Sequence, residues 1–341
     1  MTFRETLIYV SAACMLVTAS AAWAGSRTPI TALSVPECLA PAKPGGGMDL
    51  TCKLIQKGML LPTTLTVSQK NAVPPIAIRT TYLPGGIGAV AWNAIVTQRS
   101  GEAQTLVAFS GGSLMNLAQG KYGRASPANV RWVAAVGADY GMIAVRSDSP
   151  FKNLRDLMQA LKDNPSKVTI GAAGTVGSQD WLKISLLARK RHIDPKTLRF
   201  VALEGGGESF TALRAGHVQA VSGDASEAML HAADNEIRIL AVLSDNRLPG
   251  ALANVPTARE QGIDVSWPII RGVYMGPHVS DADYHRWINV FDQMMATPEF
   301  DRLRTEGGLF PFSLTGKALT EYVKKTVYQY GQQANAMGLV R

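Results

Sequence analysis

The sequence predicts an α/β fold in two lobes, and three observations carry that prediction. Short apolar runs alternate with segments of helical periodicity, several of those runs end in glycine-rich turns, and two long stretches lead the chain away from its first group of runs and back again. Strands are expected over residues 37–40, 65–68, 105–109, 142–145, 168–171, 200–203, 220–222, 239–244 and 272–275, with the alternation marking parallel sheets. The first helix is expected from about Asp49, after Pro44-Gly45-Gly46-Gly47. A second spans 153–163, where Asn153 and Asp156 form a capping box and Leu154, Leu157, Met158 and Leu161 share one face. A third, over 281–296, aligns Trp287, Ile288, Phe291, Met294 and Met295, and a long helix over 319–337 closes the chain.

The first 24 residues read as a secretory signal peptide. Arg4 supplies the charged start, the stretch from Leu7 to Ala22 the apolar run, and Ala22-Trp23-Ala24 the small-x-small cleavage site before Gly25. A lipoprotein cut at Cys14 is the competing reading, with Ser11 where an aliphatic residue should stand. The run is shorter than the roughly 20 apolar residues that a membrane span requires. About 317 residues then remain, enough for two domains. The expected organisation is a signal peptide over 1–24, a discontinuous lobe 1 over 25–131 and 257–341, and lobe 2 over 132–256. The crossings fall at the apolar run from Val133 to Val145 and in the proline-punctuated stretch between Pro249 and Tyr274.

A net charge of +8, from 34 Lys and Arg against 26 Asp and Glu, raises the encounter rate with anions. The basic residues are dispersed, not gathered into a stripe with aromatics, so nucleic acid is not expected as a partner. The histidines show no metal-ligand spacing, and neither a metal nor any other cofactor is expected. Cleavage leaves Cys38 and Cys52, and an even pair in an oxidising compartment favours a disulfide clamping the glycine turn between them; two buried free thiols are the alternative.

Glycine-bearing turns follow strand candidates at Pro44-Gly45-Gly46-Gly47, Ser110-Gly111-Gly112-Ser113, Gly171-Ala-Ala-Gly174-Thr175-Val176-Gly177-Ser178 and Glu204-Gly205-Gly206-Gly207-Glu208, and a fifth at Pro84-Gly85-Gly86-Ile87-Gly88 opens a helix. One such turn is ordinary turn chemistry. Several at strand ends let backbone N–H groups meet an anion from two sides, with Ser110, Ser113, Thr175 and Ser178 adding hydroxyls. Lys43 places a full positive charge beside the first turn, Asp49 is expected to favour its helix N-terminus, and Asp224 either contacts ligand or caps the next helix. Gly86-Ile-Gly88-Ala-Val-Ala91 fits a dinucleotide fingerprint, but no clean βαβ unit or ribose-binding acid accompanies it. No Walker lysine and no G-x-S-x-G elbow is present, so binding rather than catalysis is expected and the chain is not read as an enzyme.

Six segments in order resemble the substrate-binding receptors of tripartite tricarboxylate transporters, the Bug family. They are Ala40-Pro-Ala-Lys-Pro-Gly-Gly-Gly-Met-Asp49, Pro84-Gly-Gly-Ile-Gly88, Phe109-Ser-Gly-Gly-Ser113, Gly171-Ala-Ala-Gly-Thr-Val-Gly-Ser178, Gly205-Gly-Gly-Glu-Ser-Phe-Thr-Ala-Leu-Arg-Ala-Gly-His217 and Val255-Pro-Thr-Ala-Arg-Glu-Gln-Gly262. The resemblance covers the mature chain. It implies a type II periplasmic-binding-protein fold, a monomer in the periplasm that closes on a small carboxylate and delivers it to a membrane permease. It makes the turns at Pro44–Asp49 and Gly174–Ser178 the carboxylate site, with Asp224 at the distal end. Lys43 and the surrounding residues look like the citrate-type subgroup, so a di- or tricarboxylate such as citrate is the expected ligand. An aromatic acid or acidic amino acid, or a role as ligand sensor for a signalling partner, is the alternative. Asp180-Trp181 stands where the commoner family form has a histidine shortly after the turn.

Overall fold

The computed structural model describes residues 35–61, 74–232, 234–336 and 338–339. The expected strand at 65–68 and the expected signal peptide over 1–24 lie outside the described residues. Among the described residues, no helix is long and apolar enough to cross a membrane.

The chain enters through β1 (Glu37–Ala40) and turns into α1 (Gly47–Met59), two residues earlier than the sequence suggested. It continues through β2 (Arg79–Tyr82), α2 (Ala89–Asn93), β3 (Thr105–Ser110) and α3 (Gly111–Ala118) to β4 (Arg131–Arg146). There follow α4 (Leu154–Asp163), β5 (Thr169–Ala173), α5 (Gln179–Lys190), β6 (Arg199–Leu203), α6 (Gly206–Arg214), β7 (Ala220–Asp224), α7 (Ala225–Ala232) and β8 (Ile237–Leu243). The chain ends with β9 (Pro268–Met275), α8 (Asp281–Met295), α9 (Pro298–Glu306), the short β10 (Leu314–Thr315) and α10 (Gly316–Ala336).

The strands run in the order β2-β1-β3-β9-β4-β7-β5-β6, and β8 and β10 also pair with β4. The sheets are mixed rather than purely parallel. β1, β2 and β3 are parallel, as are β5, β6 and β7, but β9 and β4 run antiparallel to their neighbours between them. Strand β4 organises both halves. Its first part, Arg131 to Tyr140, pairs with β9; its second, Gly141 to Arg146, pairs with β8 on that edge and with β7 on the other. A 16-residue strand buried on both faces needs the near-continuous apolar run that the sequence provides there.

β4 therefore changes sheets between Tyr140 and Gly141, inside the apolar run from Val133 to Val145. The return crossing falls at Pro268, because Ala258, Ile263, Val265 and Trp267 bury in the same core as α4 and α5. The second sheet's core gathers Leu154, Leu157, Met158 and Leu161 from α4 with Leu182 and Leu187 from α5. The first sheet packs on two sides. Ile55 of α1 and Trp287, Phe291 and Met294 of α8 fill one side, and the aromatic group Trp92, Phe109, Trp132 and Tyr274 fills the other. Cys38 and Cys52 form a disulfide with Cα atoms 5.4 Å apart, tying the end of β1's neighbourhood to the second turn of α1.

Candidate ligand-binding cleft

A cavity of about 80 Å³ opens where the carboxyl ends of β1, β3, β5, β6 and β7 converge, the position at which open α/β sheets bind ligands. Its wall comes from both sheets. Gly46 and Gly47 (α1), Ser110, Gly112 and Ser113 (α3) and Arg271 (β9) face Ser178 to Asp180 (α5), Glu204 to Gly206 (α6), Asp224 (β7) and Glu227 (α7).

Local sequence determines how each helix start is built. At α3, Ser110 Oγ accepts from Gly112 N–H at 3.2 Å while Ser113 Oγ accepts from Ser110 N–H at 3.3 Å, a complete capping box. At α5, Ser178 Oγ accepts from Trp181 N–H at 3.2 Å. Gly174 and Gly177 before it hold φ of +84° and +82°, a region that glycine adopts without cost.

The α1 and α6 starts are capped by Gly46 and Gly205, which have no side chain to offer. Glu227 supplies one instead. Its Oε1 accepts from Gly47 N–H at 2.5 Å, and its other oxygen packs so closely on Gly206 that a Cβ there would overlap it. A Cβ at Gly47 would likewise overlap the Arg271 guanidinium. These two glycines are demanded by buried charge. The start of α1 is thus occupied by a carboxyl group of the chain itself.

Behind the wall lies a buried ionic network. Arg271, 2% exposed, bonds Asp139 Oδ2 at 2.8 Å and Asp224 Oδ2 at 2.5 Å. Lys183, fully buried, bonds Asp180 at 2.6 Å and also Asp224. Asp139 also accepts from the Ser226 hydroxyl at 2.6 Å. Burial pushes the Asp224 carboxyl up, but Lys183 and Arg271 outweigh it and hold the group below the usual range. Burial raises Asp180 to about 6. Glu227, buried and beside Asp224, is raised to about 8.

The structure distributes the sequence-selected residues unevenly. Gly46, Gly47, Ser110, Gly112, Ser113, Ser178 and Asp224 reach the cavity wall; Lys43, Pro44, Gly45, Asp49, Gly111, Gly174, Thr175, Val176 and Gly177 do not. Lys43 is exposed and pairs with Glu208 at 2.8 Å, so its charge is spent outside the cleft. Asp49 turns back into its own turn, accepting from Gly45 N–H, Lys53 and the Tyr82 hydroxyl, each at 2.8 Å. Val176 is exposed to solvent. Arg271, Glu227 and Gln179 enter the wall without having been selected, and Asp180 and Glu204 enter it from beside glycine turns that the sequence had marked. Arg271 had a legible signal, a charge in the middle of the apolar run Pro268–Met275, which must find a buried counter-ion.

Two mixed sheets sharing a crossing strand, with a cleft at the carboxyl ends of their parallel strands, define a periplasmic-binding-protein fold. Solved structures agree on that fold. The chain superposes on the periplasmic binding protein BugD with a TM-score of 0.76 at 17% identity, covering 89% of this chain and 98% of that one. For MatC from Rhodopseudomonas palustris with bound malate the TM-score is 0.71 at 18% identity, with coverage of 87% and 98%. A further R. palustris protein, solved with adipate, gives 0.75 at 16%, with coverage of 89% and 97%. The model of the tripartite tricarboxylate transporter family receptor matches residues 125–339, and the chain belongs to that family. A curated relative from Cupriavidus necator, a UPF0065 protein in the gbd 5′ region, is 22% identical over 205 residues, which is 60% of this chain and 61% of the relative. The match thus spans under two thirds of that relative's length.

Proposed function

We propose that the protein is an exported solute-binding receptor, which captures a small carboxylate between two lobes and delivers it to a tripartite tricarboxylate permease. The observation that carries this reading is a cavity walled by helix starts from both sheets at strand carboxyl ends. The lobes correspond to the two sheets, and closure is a rotation about the crossings at Tyr140–Gly141 and Trp267–Pro268. MatC with malate and the adipate-bound protein support a carboxylate as the ligand class. The disulfide supports residence in an oxidising compartment such as the periplasm, reached through the signal peptide over 1–24.

The cleft's charges argue against citrate within that class. Lys43 is paired outside the wall, and Arg271, the basic residue in the wall, already bonds two aspartates. A tricarboxylate would bring three negative charges to a wall with no uncommitted cation, so a solute with a single carboxylate fits better. The test is a thermal-shift screen on mature protein unfolded and refolded to strip carried-over ligand. A ligand at about 100 times its dissociation constant adds about 2.7 kcal/mol to stability. A carboxylate that raises the melting temperature supports the receptor reading, and no response to any carboxylate, with or without other groups, ends it.

A further inference from the structure

We propose a second ligand site, separate from the cleft: a cavity between α5 and α10, at the crossing Trp267–Pro268, takes an uncharged, ring-bearing molecule that presents an oxygen acceptor. The cavity holds about 410 Å³, within the range of pockets that enclose small molecules. None of its lining residues belongs to the wall of the cleft.

The wall is drawn from three places. Leu182 and Leu186 come from α5, Tyr322 and Tyr330 from α10, and Trp267 and Pro268 from the crossing that returns the chain to the first sheet. Tyr330 packs against the core of each sheet. Helix α5 serves both hollows, since its first residues, Gln179 and Asp180, stand in the wall of the cleft and its next turn lines this cavity. The space is therefore part of the joint between the sheets and not a dimple on one of them.

The composition of the wall defines the occupant. One tryptophan, two tyrosines, a proline and two leucines offer apolar and aromatic surface to a ring. No Lys, Arg, His, Asp or Glu lines the cavity, so a charged solute would leave water for a wall with nothing to pair it. Trp267 sets the polar requirement. Its backbone N–H donates to Leu243 O at 2.7 Å and its carbonyl accepts from Gly141 N–H at 2.9 Å, which anchors the residue at the crossing. The residue is 8% exposed, and its buried indole N–H has no acceptor among the described residues. An indole N–H can only donate, and leaving a buried donor unpaired is costly. A carbonyl oxygen on the occupant satisfies it. At the exposed rim, the side-chain amides of Gln329 and Gln333 bond no other described residue and can meet the occupant's polar end.

The experiment is an NMR titration of the isotope-labelled mature protein, read at the Trp267 indole N–H, whose peak is identified by its absence in Trp267→Phe. The probes are acetophenone, ethylbenzene, which has the same shape without the oxygen, and benzoate. Each is run on wild type and on Gln329→Trp and Gln333→Trp, which set a large side chain over the cavity from exposed positions and are expected to fold. Acetophenone should move the Trp267 peak to saturation, and ethylbenzene should bind about tenfold more weakly for want of the acceptor. At least one of the two tryptophan variants should weaken acetophenone by a similar factor. A Trp267 peak that acetophenone does not move overturns the site, as does a response unchanged in both variants. Ethylbenzene binding as tightly as acetophenone overturns the acceptor requirement. Equal responses to benzoate and acetophenone, both lost in the variants, overturn the uncharged class. A peak that moves on dilution of the protein without any probe makes a second copy of the chain the occupant, and overturns the small-molecule site.

Discussion

The starts of α1 and α3 look alike in sequence, each a glycine-rich turn after a parallel strand of the first sheet, but they are completed in opposite ways. Ser110 and Ser113 close α3 from within its own turn. α1 begins with Gly46 and Gly47 and takes its acceptor from Glu227, 180 residues away and on the second sheet's side. α5 and α6 repeat the contrast, with Ser178 capping the first and glycine leading the second. Where a serine stands at the cap, the helix start is locally satisfied. At α1, where glycine stands, the helix start becomes a joint between the sheets, completed by the buried carboxyl of Glu227.

The largest test of this contrast compares two small substitutions. Gly47→Ala drives a methyl into the Arg271 guanidinium, whereas a Cβ at Gly111 meets its nearest neighbours at ordinary contact distances of 3.5 Å. Because Arg271 balances Asp139 and Asp224, displacing it should cost about 3–5 kcal/mol in urea unfolding, and Gly111→Ala less than about 1 kcal/mol. Equal losses at the two glycines would erase the distinction. Next in size is the clamp on the α1 turn. Cys52→Ser should lower stability by about 3 kcal/mol, and titration of unreduced wild-type protein should find neither Cys38 nor Cys52 reactive.

Glu227 gives the comparison a pH signature. Its carboxyl is raised from 4.5 to about 8 in the fold, so the folded state holds its proton more tightly than the unfolded chain. That contribution to stability is complete below about pH 4.5 and is lost as pH rises through about 8. Urea midpoints measured from pH 4.5 to 8.5 should therefore fall more steeply for wild type than for Glu227→Gln, and parallel profiles would refute the assignment. The smallest effect belongs to the self-capped start. Ser110→Ala should cost about 1 kcal/mol and leave the pH profile unchanged.

Much of the fold was readable because buried strands need apolar runs. The stretches at β1, β3, β5, β6, β7 and β8, and the crossing along β4, stand out for that reason. β2 did not, since Arg-Thr-Thr-Tyr is a half-exposed edge strand with no apolar run to reveal it. Parallel pairing was over-read because apolar runs report burial and not direction, so the antiparallel insertion of β9 beside β4 left no local trace. The cleft was legible where its chemistry is local, at the glycine turns and Ser110, Ser113 and Ser178. It was illegible where its chemistry is shared. Asp139, Lys183, Glu227 and Arg271 lie on separate elements and form no motif along the chain. Lys43 misled for the complementary reason: a lysine beside an anion-type turn has the right neighbours in sequence, but Glu208 is closer in space.

The bonds between the two sheets also bear on how fast a solute can enter. Gln119 reaches Gly177 O at 2.7 Å, Gly85 reaches Glu204, Lys43 reaches Glu208 and Gly47 reaches Glu227, so the cleft's mouth is stitched by the chain's own groups. A solute must wait for those stitches to part. In stopped-flow mixing, the observed association rate should therefore climb with solute concentration only until it meets the opening rate, and then level off. Lys43→Ala, which removes the exposed stitch, should raise that plateau and leave the choice of solute untouched.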